Sequence, residues 1–151
     1  MTLSLTDAWL EDLDLEACVR LLRENSFGRI AVVEHESPIV LPVNYRLVEA
    51  SGVTWVAVRT RPGNVLDRAP AFVALEIDAI DPVHHQGWSV LVRGTLHRVD
   101  PDVADFRARF DSEPWLASER DSWLMIAPFA ITGRLLHPAE SDWAFCPRAY
   151  L

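Results

Sequence analysis

The sequence predicts a mainly β domain built as a small antiparallel barrel with a few short helices, and three observations predict it. At 151 residues the chain has room for one hydrophobic core and no second domain. From Phe27 onward, segments rich in Val, Ile, Leu, Thr and aromatics alternate with turn residues. The turns Ser37-Pro38 and Ser51-Gly52 are spaced as in an antiparallel meander. A closed or partly closed barrel satisfies this pattern, and a sandwich satisfies it nearly as well.

The elements follow in order. Asp12 and Asp14 precede Leu15, Cys18, Leu21 and Leu22 at helical spacing, and Asn25 and Gly28 supply stop signals, so residues 14–25 read as a short amphipathic helix. Strands are expected at 27–34, 38–48, 53–60, 71–78 and 87–99. Between the third and fourth, the stretch Arg61 to Arg68 is long enough for a turn and one or two turns of helix. Residues 101–110 place Val103, Phe106 and Phe110 on one face behind Pro101, a second helix with proline in its first turn. Ile126 to His137 gives the sixth strand, separated from that helix by Pro114 and a polar stretch. The tail from Pro138 carries Trp143, Phe145 and Tyr150, and its aromatics suggest that it packs on something. The domain thus spans 1–151, with its core in about 14–136 and an aromatic tail over 138–151.

Composition narrows the function. Half the residues are hydrophobic and about a quarter are charged, the balance of a soluble globular protein. The N-terminus has neither a basic region nor a long apolar run, so no signal peptide is expected. No stretch approaches the roughly 20 apolar residues of a membrane span. Cys18 and Cys146 lie far apart and form no CxxC pair; two thiols in a reducing cytoplasm is the expected state, with a disulfide as the alternative. The net charge of −8 argues against a nucleic-acid partner, which needs a phosphate-neutralising surface. All 14 basic residues are arginine. Any anionic cofactor must therefore be held by arginine, hydroxyls or backbone N–H groups.

No GxSxG, HExxH, GxxxxGK[ST] or GxGxxG motif is present. His84-His85 has no Cys or third His at ligand spacing and reads as two solvated loop residues, so no metal is expected. Glu76 and Asp78 share a strand face, where surface charge or an arginine partner accounts for them more simply than acid–base chemistry. The more informative group is Leu41-Pro42-Val43-Asn44-Tyr45 followed by Val58-Arg59-Thr60 and Arg61-Pro62-Gly63-Asn64. Proline mid-strand implies an edge or a bulge. Hydroxyl, guanidinium and exposed N–H groups at a strand-to-helix turn suit a phosphate, although by composition alone a plain capped turn is the simpler reading of the same residues.

These pieces stand in a recognisable order. Phe27-Gly28-Arg29-Ile30-Ala31-Val32, Leu41 to Tyr45, Val58-Arg59-Thr60 with Gly63, Val73 to Asp78, Gly87 to Gly94, Pro114-Trp115 and Ile131-Thr132-Gly133-Arg134 succeed one another. The chain resembles the pyridoxamine 5′-phosphate oxidase-like, FMN-binding split-barrel family, in particular its actinobacterial-type subgroup, over about residues 14–136. The resemblance implies a six-stranded antiparallel Greek-key split barrel, a homodimer, and two FMN sites at the dimer interface. It implies that Pro42, Val43 and Asn44 run along the flavin ring edge. Arg59 and Thr60 would meet the ribityl phosphate, and Arg61, Gly63 and Asn64 would cup it. Trp88 and Ser89 would come from the facing part of the site, with Trp88 covering ring surface or else plugging the barrel.

Relatives usually carry lysine where this chain has Val65. A charge-assisted phosphate contact contributes on the order of 1.5–3 kcal/mol, about one to two decades in affinity, for which Arg61 or Arg68 would have to compensate. The resemblance implies a flavin-dependent oxidoreductase acting on a small-molecule redox substrate, the flavin carrying the redox chemistry. A deazaflavin-dependent reductase is the related alternative. A non-catalytic carrier, or a cofactor-free binding or regulatory module on the same barrel, is the other class.

Overall fold

The computed structural model describes residues 9–50, 52–61, 63–99 and 122–138. Among the described residues the elements run β1 (Trp9–Leu13), α1 (Leu15–Glu24), β2 (Phe27–Glu34), β3 (Ser37–Ala50), β4 (Val53–Thr60), β5 (Ala71–Asp81), β6 (Gln86–Val99) and β7 (Ser122–His137), with a 3-10 turn at Val65–Arg68. The expected helix at 101–110, the Pro114-Trp115 pair, the aromatic tail and Cys146 lie outside the described residues.

Every strand pairing is antiparallel, in the order β1-β7-β4-β3-β2-β5-β6, and β6 also pairs with β7. That last pairing closes β2 to β7 into a six-stranded barrel, which decides for the barrel over the sandwich. The strand count needs one correction, because β1 makes a seventh, hung on the outer half of β7 in register Trp9 with His137 to Leu13 with Gly133. It was invisible in the sequence because it is five residues long, four of them exposed, with Glu11 and Asp12 breaking any apolar alternation. Another correction concerns the first hairpin, whose turn is His35-Glu36, not Ser37-Pro38. Both turn residues have positive φ, 50° and 63°, and Ser37 already pairs with Glu34.

The core follows from period-two alternation. Ile30 and Val32, Val43 and Tyr45, Val56 and Val58, Leu75 and Ile77, Val90 and Val92, and Leu124 and Ile126 point into the barrel and are buried. Helix α1 adds Cys18 and Leu22, both fully buried, against this cluster. Its start is capped by Asp14, whose Oδ1 accepts from Ala17 N–H at 2.7 Å. Two of its orphan carbonyls at the other end are met by side chains: Asn25 Nδ2 donates to Leu21 O, and the buried Tyr45 hydroxyl donates to Leu22 O at 2.9 Å.

One local feature positions the site. Strand β3 pairs with β2 along residues 37–44, but its register with β4 begins only at Tyr45 opposite Val58. Among the described residues, those of β3 before Tyr45 therefore have a strand neighbour on the β2 side and none on the β4 side. This is the local edge that Pro42 predicts, since a residue without N–H is tolerated where a ladder stops.

Candidate functional site

The gap where β3 and β4 part is a cleft of about 430 Å³, within the range of small-molecule sites. Leu41, Pro42 and Val43 form one wall; Arg59, Thr60 and Arg61 form the other; Gly63, Asn64 and Leu66 close the end. Val43, Thr60 and Leu66 are buried, whereas Arg61, Gly63 and Asn64 are exposed. The cleft is therefore apolar and firm at its base and polar and cationic at its mouth. Arg59 is half-buried and engaged in contacts of its own. Arg61 has no carboxylate partner among the described residues.

The turn after β4 is wired internally. Asn64 caps the 3-10 turn, its Oδ1 accepting from Leu66 N–H at 3.3 Å and its carbonyl accepting from Asp67 N–H at 2.8 Å. Asn64 N–H donates to Arg61 O at 3.2 Å, and Gly63 N–H donates to Asp67 Oδ2 at 2.9 Å. Gly63 sits at φ +77°, the left-handed conformation that glycine tolerates best. These N–H groups, which the sequence offers to an anion, are spent inside the turn. What faces the cleft with positive charge is side chain, not backbone.

Of the predicted site residues, the cleft gathers Pro42, Val43, Arg59, Thr60, Arg61, Gly63 and Asn64. Asn44 is the next residue on the same strand, and its Oδ1 is buried without a hydrogen-bond partner. Val65 does not line the cleft; it is half-buried against the core. Trp88 and Ser89 lie elsewhere in the chain. Trp88 points inward against the core and lines a second depression of about 520 Å³ with Ile80, Leu135 and His137. Ser89 falls on the outer sheet face, between Asp78 and Arg134 in register.

Sequence reasoning passed over Leu41 and Leu66 as lining residues, and Asp67 and Arg98 as supports. Asp67 was signalled only weakly, as a carboxylate four residues after Gly63. Arg98 Nη2 lies 2.9 Å from Asp67 Oδ1 from a strand 31 residues away, a contact no local pattern announces.

Two further charged clusters are paired on the surface. Arg29 bridges Glu76 at 3.1 Å and Asp78 at 3.2 Å, the arginine partnership expected for that acidic pair. These carboxylates in turn push the Arg29 guanidinium further toward its charged form. At the β5–β6 turn, His84 Nδ1 lies 2.6 Å from Asp81 Oδ2. That hydrogen bond holds the Asp81 carboxyl below its ordinary value, with backbone N–H groups adding to it. No group of three metal-ligating side chains occurs among the described residues, and no helix among them is long and apolar enough to cross a membrane.

The outer sheet face carries an apolar patch. Val33, Val40, Phe72 and Phe129 are each at least 60% exposed. Phe72 and Phe129 meet edge to face with centroids 6.3 Å apart, and Arg93 lies over the Phe129 ring at 5.6 Å.

Comparison with known proteins agrees with this architecture. Residues 14–135 match the family model described as pyridoxamine 5′-phosphate oxidase. The chain is 31% identical over 132 residues to the uncharacterized protein Rv0080 of Mycobacterium tuberculosis, covering 81% of this chain and 82% of that one. It is similar in structure to the FAD binding protein from Mycobacterium smegmatis, with 27% identity, a TM-score of 0.63, and 85% and 100% of the two chains covered. A conserved protein of unknown function from Corynebacterium diphtheriae superposes with a TM-score of 0.72 at 25% identity, covering 85% and 98%.

Proposed function

The chain belongs to the pyridoxamine 5′-phosphate oxidase family, and from that membership and the cleft between β3 and β4 we propose that it binds a flavin nucleotide, FMN in the first instance, as a homodimeric flavin-dependent oxidoreductase of the cytoplasm. The observation that carries the reading is the pairing of an apolar wall, Leu41 to Val43, with two arginines and a buried threonine within one cleft. A flat apolar ring with a phosphate tail needs both surfaces at once. The donor set fits: Arg59 and Arg61 would take the phosphate as guanidinium forks, and the buried Thr60 lines the cleft between them in sequence. Asn44 Oδ1, buried and without a partner, is an acceptor suited to an N–H on the ring edge. The bound flavin would supply the redox chemistry, which accords with the lack of any nucleophile or acid–base motif in the sequence. The chain's own part is to hold the phosphate, orient the ring against Pro42 and Val43, and shield one ring face from water. The substrate is then a small molecule that reaches the open face.

The exposed patch of Val33, Val40, Phe72 and Phe129 supports the dimer, because contiguous apolar surface of this kind marks association sites. Ser89 lies on the same outer face, so a second copy would bring it toward a cleft that its own chain does not reach. Phe72→Asp should convert the dimer to monomer in size-exclusion chromatography with light scattering; an unchanged dimer would place the interface elsewhere.

Visible absorbance of the purified protein tests the flavin directly, followed by thermal melts with FMN, FAD and a deazaflavin. A ligand at 100 times its dissociation constant adds about 2.7 kcal/mol. A colourless protein that none of the three stabilises contradicts the reading and leaves a cofactor-free module. Ranking the three ligands separates FMN from the FAD named for the M. smegmatis relative.

A further inference from the structure

We propose that Asp67 is a positioning residue of the cleft, clamping the Arg61–Asn64 turn together with Arg98 so that a bound phosphate is met by arginine side chains on a fixed backbone. The inference rests on the flavin-binding reading above. Between the buried Thr60 and the half-buried Val65, the residues Arg61, Gly63 and Asn64 are exposed, with Gly63 in the left-handed region. Such a segment has little apolar contact to hold it, so polar contacts must fix its shape.

Asp67 supplies them. One carboxylate oxygen accepts from Gly63 N–H at 2.9 Å; the other lies 2.9 Å from Arg98 Nη2 as an ion pair without aligned hydrogen-bond geometry. The same Nη2 donates to the Asp67 carbonyl at 2.7 Å. The Asp67 side chain is only 13% exposed while Arg98 is exposed, so it is the shielded carboxylate, with its bond to Gly63 N–H, that sets this pair apart from fully exposed ion pairs that contribute little. Strand β6 thereby grips the turn at two points. Because Asn64 N–H is bonded to Arg61 O, a backbone fixed at Gly63 also fixes the residue that bears the exposed guanidinium.

The arrangement has a consequence for specificity. The Gly63 N–H is the kind of donor that a turn presents to an anion, and here a carboxylate already occupies it. Recognition of a phosphate then falls to guanidinium forks, which demand direction as well as charge.

Riboflavin, which lacks the phosphate, separates positioning from mere folding. FMN and riboflavin titrations, read by flavin fluorescence, compare the wild type with Asp67→Ala, Asp67→Asn and Arg98→Ala. Asp67→Ala should weaken FMN about ten-fold while riboflavin stays within about two-fold, and amide exchange at Gly63 should accelerate. Asp67→Asn, which keeps an acceptor for Gly63 N–H, should recover part of the loss. If Asp67→Ala does not fold, Asp67→Asn and the exposed Arg98→Ala carry the same comparison. Unchanged FMN affinity, or equal losses of FMN and riboflavin, would overturn the proposal. A wild type that binds neither ligand refutes the flavin reading itself, and the inference falls with it.

Discussion

Replacing Tyr45 by Phe removes one buried oxygen where β3 meets the end of α1 and tests how β3 is anchored beside the cleft. Tyr45 is fully buried, and its hydroxyl donates to Leu22 O at 2.9 Å. That carbonyl belongs to the last turn of α1 and has no intrahelical partner. The Phe ring keeps the packing, so the cost is that of a buried carbonyl left unsatisfied, about 1–3 kcal/mol. Taking about 2 kcal/mol, the melting temperature of a domain this size should fall by roughly 4–8 °C. Urea denaturation followed by tryptophan fluorescence measures the loss, with an unchanged slope expected because the surface exposed on unfolding is the same. The pH dependence supplies a second arm. Burial pushes the Tyr45 hydroxyl above its ordinary value, with the Arg46 charge opposing weakly. The unfolded phenol ionises near pH 10, so stability is fully present below about pH 10 and is lost as pH rises toward the folded-state value. Tyr45→Phe should therefore flatten the alkaline decline. A loss below about 0.5 kcal/mol, or an alkaline limb identical to wild type, refutes this account of the anchor.

Two further outcomes bear on the site and its frame. On the proposed reading, Arg61→Ala should weaken FMN by about ten-fold, the lower end of a charge-assisted contact because the side chain is exposed, and should leave riboflavin binding and the oligomeric state unchanged; equal FMN affinity would show that Arg61 does not serve the phosphate. Gly94→Ala should destabilise the fold by about 2–3 kcal/mol in the same urea assay, since a Cβ there would lie 2.4 Å from the Ala127 carbonyl oxygen at the β6–β7 irregularity. A neutral Gly94→Ala would mean that the bulge yields without cost.

What the sequence disclosed follows from which forces are local. Alternation of buried residues along each strand is written in the chain, so β2 to β6 fall within three residues of their expected bounds at either end. The N-cap at Asp14 is equally local. Strand β7 begins four residues before the expected Ile126 because Ser122 to Met125 are held by pairing with β4, a partner distant in sequence. The turn residues His35 and Glu36 take positive φ against their own preference, imposed by the register of β2 and β3. Cleft residues were legible where they lie on the strand and turn that carry the family's motifs. Trp88 was not, because a tryptophan reads identically in sequence whether it covers a ligand or packs inward against the core.

The position of Val65 bears on the lysine that the resemblance leads one to expect there. Its side chain is half-buried against the core and is not among the residues lining the cleft, so a valine here adds apolar packing and leaves the cleft wall intact. Among the described residues the guanidinium groups that line the cleft are those of Arg59 and Arg61, one on the last residues of β4 and one just beyond it. A lysine ammonium is a point charge on a flexible stem and tolerates a loose backbone, whereas a guanidinium binds well only along its fork. An arginine-only site therefore asks more of the turn that bears it. On the proposed reading, that demand is met by Asp67 and Arg98, which spend a backbone donor and an ion pair to hold the turn still.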